Sequence, residues 1–184
     1  MPALGSGKRK ILIGLAVAGV VAVAFGMYWF QPWKLWTDRT LREALPSATA
    51  APSPTAGGRT APPAPAGPQT VASGAFVSHE HDTTGSVKLL RLADGSYTLR
   101  LEGLETSDGP DLYVWLADAP VKEGRDGWHV FDDGEHLSLG RLKANRGDQN
   151  YPLPAGTDPA RYTSVSIWCD RFNVSFGAAA LGRA

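Results

Sequence analysis

The chain has 184 residues, with 18 Lys/Arg against 18 Asp/Glu, so it holds one ordinary domain plus appendages. The neutral total hides an asymmetry: residues 1–72 carry seven basic residues against two acids, and residues 73–184 carry eleven against sixteen. A mildly acidic C-terminal part, without an aromatic-interleaved basic run, a phosphate-cradling glycine loop or a Walker lysine, leaves nucleic acid out as a partner.

Ile11 to Phe30 is an uncharged apolar run of twenty residues. As a helix it spans roughly 30 Å, the thickness of a bilayer core. The organisation therefore reads as a basic segment at 1–10 and a transmembrane helix at 11–30. Lys8, Arg9 and Lys10 precede the run, which keeps the N-terminus cytoplasmic and the remainder outside. Tyr28, Trp29, Trp33 and Trp36 then fall at the outer interface. The alternative is a cleaved signal peptide, for which Ala22-Val23-Ala24 offers the small-x-small pattern. Either reading places the domain outside the cytoplasm.

Residues 31–45 read as a juxtamembrane segment, with a short helix expected over Thr37–Leu45 and Asp38 as its cap. Residues 46–72 are rich in Pro and Ala with one charge, Arg59. Such a stretch buries too little surface to offset its ordering entropy, so a disordered linker is expected, with a reach of roughly 80 Å at most.

From 73 to 184 the pattern changes to period two. Tyr97, Leu99 and Leu101 alternate with Thr98, Arg100 and Glu102; Leu112, Val114 and Leu116 with Tyr113, Trp115 and Ala117; Val165, Ile167 and Cys169 with Ser164, Ser166 and Trp168; Val174 and Phe176 with Asn173 and Ser175. Turn chemistry separates them, as in Ala93-Asp94-Gly95 and Asn145-Arg146-Gly147-Asp148. No segment of this part carries a helical period. The expected fold is all-β, an antiparallel β-sandwich of seven to nine short strands, closing on a hairpin that turns at Asp170-Arg171. Tyr113, Trp115 and Trp168 are expected on the outward face.

Cys169 is the sole cysteine, so it makes no internal disulfide. It is a redox group, a ligand, an intermolecular partner or a buried small hydrophobe. Alternation puts it inward with Val165 and Ile167. Arg171 nearby favours the thiolate and Asp170 opposes it. His79 and His81, two apart on an extended chain, point to one side and can share a metal, with Glu80 opposite; the alternative is a structural histidine at the first turn, hydrogen-bonded to backbone. Asp132-Asp133-Gly134-Glu135 reads as a solvated turn, and Asp108 and Asp111 as backbone caps. No Gly-x-Ser-x-Gly and no paired carboxylates are present, which sets a hydrolase aside.

Four ordered stretches resemble a known family. They are Gly74-Ala75-Phe76 with His81-Asp82-Thr83-Thr84-Gly85, GPDLYVWLAD at 109–118, LGRLKANRGDQNYPLP at 139–154 and SVSIWCDRFNVSFGAAAL at 164–181. Together they resemble the DM-thirteen domain, a relative of the DOMON domain; the apolar run makes the expected protein membrane-anchored, and the Ala/Gly/Pro/Arg-rich composition suggests a GC-rich bacterial source. The resemblance covers 74–181 except 119–136, which matches no motif. It implies a DOMON-like β-sandwich, often outside the cytoplasm, with electron transfer through a bare thiol at Cys169 or through a bound group such as haem. Haem is disfavoured, because Met1 and Met27 lie outside the domain and a Met/His axial pair is not available. The cofactor therefore stays open, as do the redox or surface partner, and the bilayer is the one partner the residues name. The reading is a membrane-anchored extracytoplasmic redox domain acting through Cys169. Its alternative is a non-catalytic binding or adhesion module, displayed on a flexible stalk and using Tyr113, Trp115 and Trp168.

Overall fold

A computed structural model describes residues 6–46 and 67–183. Helix α1, Ser6–Phe30, is exposed along its length and has a mean hydropathy of 2.4 over its most apolar window. Its side chains carry no polar face, so in water nothing would cover them. Such a helix fits a membrane anchor or a signal sequence.

Among the described residues ten strands follow: β1 (Thr40–Arg42), β2 (Gln69–Ser78), β3 (Thr84–Arg91), β4 (Tyr97–Glu105), β5 (Leu112–Ala117), β6 (His136–Arg141), β7 (Arg146–Pro152), β8 (Ser164–Cys169), β9 (Val174–Ala180) and β10 (Gly182–Arg183). They form one curled sheet in the order β1-β7-β4-β3-β2-β9-β8-β5-β6, with β10 pairing to β2. The long strand β2 joins the two halves. Residues 69–75 pair with β3 and residues 76–78 pair with β9. Gly74 stands at that crossing, where a Cβ would run into the Ala180 carbonyl. The two halves close over one core that includes Leu89, Leu101, Val114, Ile167, Phe176 and Cys169. Strand-rich architecture and the alternation behind it thus agree with the expected all-β class.

The segment after the helix departs from expectation. Pro32–Trp36 forms a single 3-10 turn, and Thr37–Leu45 is not helical. Strand β1 instead adds to the edge of β7 in parallel, Leu41 opposite Gly147. Asp38 does not cap a helix: it accepts a hydrogen bond from Asn145 Nδ2 at 2.8 Å, while Asn145 Oδ1 receives the Arg39 amide at 2.7 Å. An open sheet edge offers backbone partners that a three-turn peptide with one apolar residue in its centre cannot offer itself. Gly147, with φ +100, leaves room for the Leu41 carbonyl where any Cβ would collide. Of the expected linker at 46–72, residues 47–66 lie outside the described residues, and strand β2 begins at Gln69, inside the expected linker.

Strand β1 therefore docks on the domain ahead of the Pro/Ala-rich segment. Ahead of β1, Lys34 Nζ bonds the Gly109 carbonyl at 2.7 Å, Arg171 bonds the Tyr28 and Trp29 carbonyls, and Phe30 stacks on Phe172. The turn between β8 and β9 is thereby seated on the C-terminal end of α1.

Candidate functional site, a buried thiol behind an aromatic face

All six residues of β8 are buried, although alternation turns only three toward the core. Val165, Ile167 and Cys169 point in, as expected. Trp168 points out and is nevertheless 0 % exposed, with Trp115 at 7 %. The expectation that these indoles face outward into solvent is corrected: residues 118–135 cross that face and cover it.

The cover has a sequence logic. The outward positions beside Trp168 are small, Ser166, Ser175 and Ala178, and they leave a trough for large rings. Phe131 drops into it and meets Trp168 edge-on, with centroids 6.5 Å apart. Trp115 stacks on Trp168 at 4.8 Å, and His136 stacks on the far side of Trp115 at 4.1 Å. The covering chain is stapled by its backbone. Ser175 N–H bonds the Trp128 carbonyl at 2.8 Å, Asp118 N–H bonds the Glu135 carbonyl, and Ser164 Oγ bonds the Ala119 carbonyl. Asn173, in the left-handed region at φ +54, donates its side-chain amide to Asp132 at 2.8 Å. Of the acidic turn, Asp132 is thus tied to Asn173, and Glu135 pairs with Arg161.

His79 belongs to the same fastening. Its Nε2 donates to the Lys122 carbonyl at 3.0 Å, which fixes Nδ1 as acceptor from the Ser175 hydroxyl at 2.8 Å. Ser166 in turn donates to Ser175 Oγ at 3.0 Å. Both ring nitrogens are therefore occupied. Burial holds the His79 imidazolium below the usual histidine value, opposed by the bond to Lys122. His81 lies half-buried on the Phe176 ring at 3.8 Å, also pushed down by burial. The two histidines start from one point, since both amides bond the Phe176 carbonyl, but their rings take different partners. The chain at 79–81 bends instead of running extended, and the His79 ring meets Ser175, Lys122 and Phe131 while the His81 ring meets Phe176. No group of three or more His, Cys, Asp or Glu suited to a metal occurs among the described residues. Asp108 does cap a backbone group, the Gly109 amide at 2.9 Å, whereas Asp111 pairs with Arg141.

Cys169 sits between Leu112 of β5 and Val174 of β9, fully buried. Burial pushes its thiol up, outweighing the amides of Phe172 and Arg171 that draw it down; Glu80 and Asp111 add to the rise. Arg171, expected to favour the thiolate, turns its guanidinium to the end of α1. The sulfur is thus held as a protonated thiol out of reach of a bulky electrophile. A haem needs a thiolate or imidazole ligand beside a wide apolar slot. Cavities of about 460, 420, 330 and 310 Å³ are lined by surface turns and by neither Cys169 nor a histidine. With His79 fully engaged, the residues around Cys169 do not fit a haem.

The cover at 118–135 escaped sequence reasoning. Its one legible sign was the row of small residues at outward strand positions beside two tryptophans. Such a face is wet only if polar side chains line it.

A family model described as Electron transfer DM13 matches residues 75–181, more than half of the chain. No curated protein and no solved structure matches it.

Proposed function

The chain belongs to the electron transfer DM13 family, and from that premise we propose that it is a membrane-held electron-transfer domain whose redox group is Cys169. The observation that carries this reading is the state of the sulfur: the sole cysteine lies inside the matched region, fully buried and held protonated. Thiol–disulfide exchange needs an accessible thiolate. One-electron transfer needs neither a direct collision nor a leaving group. In the step envisaged, the thiol loses one electron to a one-electron acceptor and its proton to solvent at the 170–173 turn, leaving a thiyl radical. Reduction by one electron and one proton restores the thiol. The basic residues Lys8, Arg9 and Lys10 orient α1 with its N-terminus in the cytoplasm, so the domain works on the outer surface. Strand β1 keeps it close to the bilayer.

The test uses the full-length protein in nanodiscs. A maleimide should fail to label Cys169 in the folded protein and label it on unfolding. A chemical one-electron oxidant should consume the thiol, and Cys169→Ser should remove that oxidation event. Unchanged redox behaviour in Cys169→Ser would overturn the reading.

A further inference from the structure

A buried thiol that exchanges electrons needs a route to the surface, and the covered face supplies one. Trp168 is the residue before Cys169 on β8, one covalent step away on the opposite face of the sheet. Its ring stacks at 4.8 Å on Trp115, whose other face stacks at 4.1 Å on His136, an exposed residue at the start of the edge strand β6. Indoles are among the most readily oxidised side chains, and stacked rings in contact exchange an electron far faster than separated ones.

Packing alone does not account for this arrangement. The Trp168 Nε1–H is buried without an acceptor among the described residues. A buried donor left unpaired is costly, and a phenylalanine in the same trough would avoid that cost. The same orphaned N–H has a redox consequence. An oxidised indole ordinarily loses its N–H proton and is trapped as a neutral radical. With no acceptor at Nε1 among the described residues, Trp168 keeps its proton when oxidised, so the hole stays free to move on.

Resting on the electron-transfer reading of Cys169, we propose that Trp115 and Trp168 form a two-ring relay that carries single electrons from Cys169 to an acceptor docked at the His136 edge. The electrons balance in three steps. The acceptor takes one electron from Trp115, giving its radical cation. Trp168 returns one electron to Trp115 and becomes the radical cation. Cys169 returns one electron to Trp168 and releases one proton, ending as the thiyl radical. The rim at His136 exposes Asp132, Asp133 and Glu135, of which Glu135 is paired with Arg161. The acceptor class this favours is a cationic one-electron carrier.

The experiment uses the full-length protein in nanodiscs, with Trp29, Trp33, Trp36 and Trp128 replaced by phenylalanine so that only the stacked pair remains. Flash-generated ruthenium(III) tris(bipyridine) is the acceptor. Transient absorption reads the indole radical, and denatured thiol counting reads Cys169. The expected result is a protonated indole radical cation followed by loss of the thiol. Trp115→Phe and Trp168→Phe should each slow thiol loss roughly tenfold or more, with maleimide access unchanged. Trp115→Tyr, which keeps an oxidisable ring, should recover most of the rate, a difference from phenylalanine that a purely structural role would not produce. Thiol loss at an undiminished rate in both phenylalanine variants overturns the relay and leaves the Cys169 reading standing. A radical that forms through Trp115 but has the same lifetime in Cys169→Ser supports the relay and overturns the thiol as its terminus. Absence of any radical on the pair overturns the relay.

Discussion

The two outer faces of the curled sheet obey the same alternation and end in opposite environments. On the half built from β3, β4 and β7, the outward residues are Lys88, Arg100, Glu102 and Asn150, and they form a polar lattice in which Arg100 is buried and the others half-exposed. Lys88 meets Glu102 at 2.7 Å, Arg100 meets Glu102 at 2.9 Å, and the carbonyls of Glu43 and Ala44 lie over them as further acceptors. On the half built from β5, β8 and β9, the outward residues are Trp115, Trp168, Ser166 and Ser175, and the 118–135 segment seals them dry. The polar face is tied to the segment that follows α1 by β1. The dry face backs directly onto Cys169. The sulfur is therefore sheltered on both sides of β8, and the polar face carries the β1 segment.

The largest contrast should appear in stability. Trp168→Ala empties a fully buried site and should cost about 3–5 kcal/mol, whereas Lys88→Ala breaks a half-exposed pair and should cost about 0–1 kcal/mol. Urea denaturation of the two variants gives both numbers, and equal costs would erase the distinction between the faces. Next in size, Cys169→Ser places a hydroxyl in an apolar pocket and should cost about 1–3 kcal/mol. Cys169→Ala should cost less, as read by the same denaturation. Gly147→Ala forces a Cβ against the Leu41 carbonyl at a positive φ, costing about 1–3 kcal/mol. It should selectively raise hydrogen exchange at residues 40–43 while the amides of β8 stay protected.

The smallest effects are acid-dependent and separate the faces by pH. His79 is held below its ordinary 6.5 in the folded state. The unfolded chain therefore takes up that proton first, and the stability is complete above 6.5 and lost as pH falls below it. Glu102 is held below its ordinary 4.5, first by the Lys88 hydrogen bond, so its contribution is lost only as pH falls below 4.5. His79→Gln should remove the His79 share of the upper limb, leaving the share of His81, and should leave the lower limb unchanged. A thermal melt series across both ranges reads the outcome.

Much of this was legible in the residues. Alternation placed Val165, Ile167 and Cys169 inward and Trp168 outward, and the apolar run at 11–30 named the helix. Two features were not legible for physical reasons. Strand β1 forms because the β7 edge offers partners far away in sequence, which local propensity at Thr37–Leu45 does not encode. The dry face exists because residues 118–135, which lack any period, are held by backbone bonds to β8, β9 and His79. Outwardness along a strand specifies a face, and whether that face meets water depends on a segment elsewhere in the chain. His79 and His81 illustrate the same limit: their spacing suggested one shared direction, and the bend at 79–81 gave them different partners.

The central claim is that electrons reach Cys169 while molecules do not. The most direct test compares two rates on the folded full-length protein in nanodiscs, thiol consumption by a cationic outer-sphere oxidant and thiol alkylation by a maleimide. The account predicts that oxidation proceeds under conditions where alkylation is blocked, and that loosening the fold with mild denaturant accelerates alkylation far more than oxidation. Two rates that rise and fall together would show that the sulfur reacts only when the fold opens, and would contradict it.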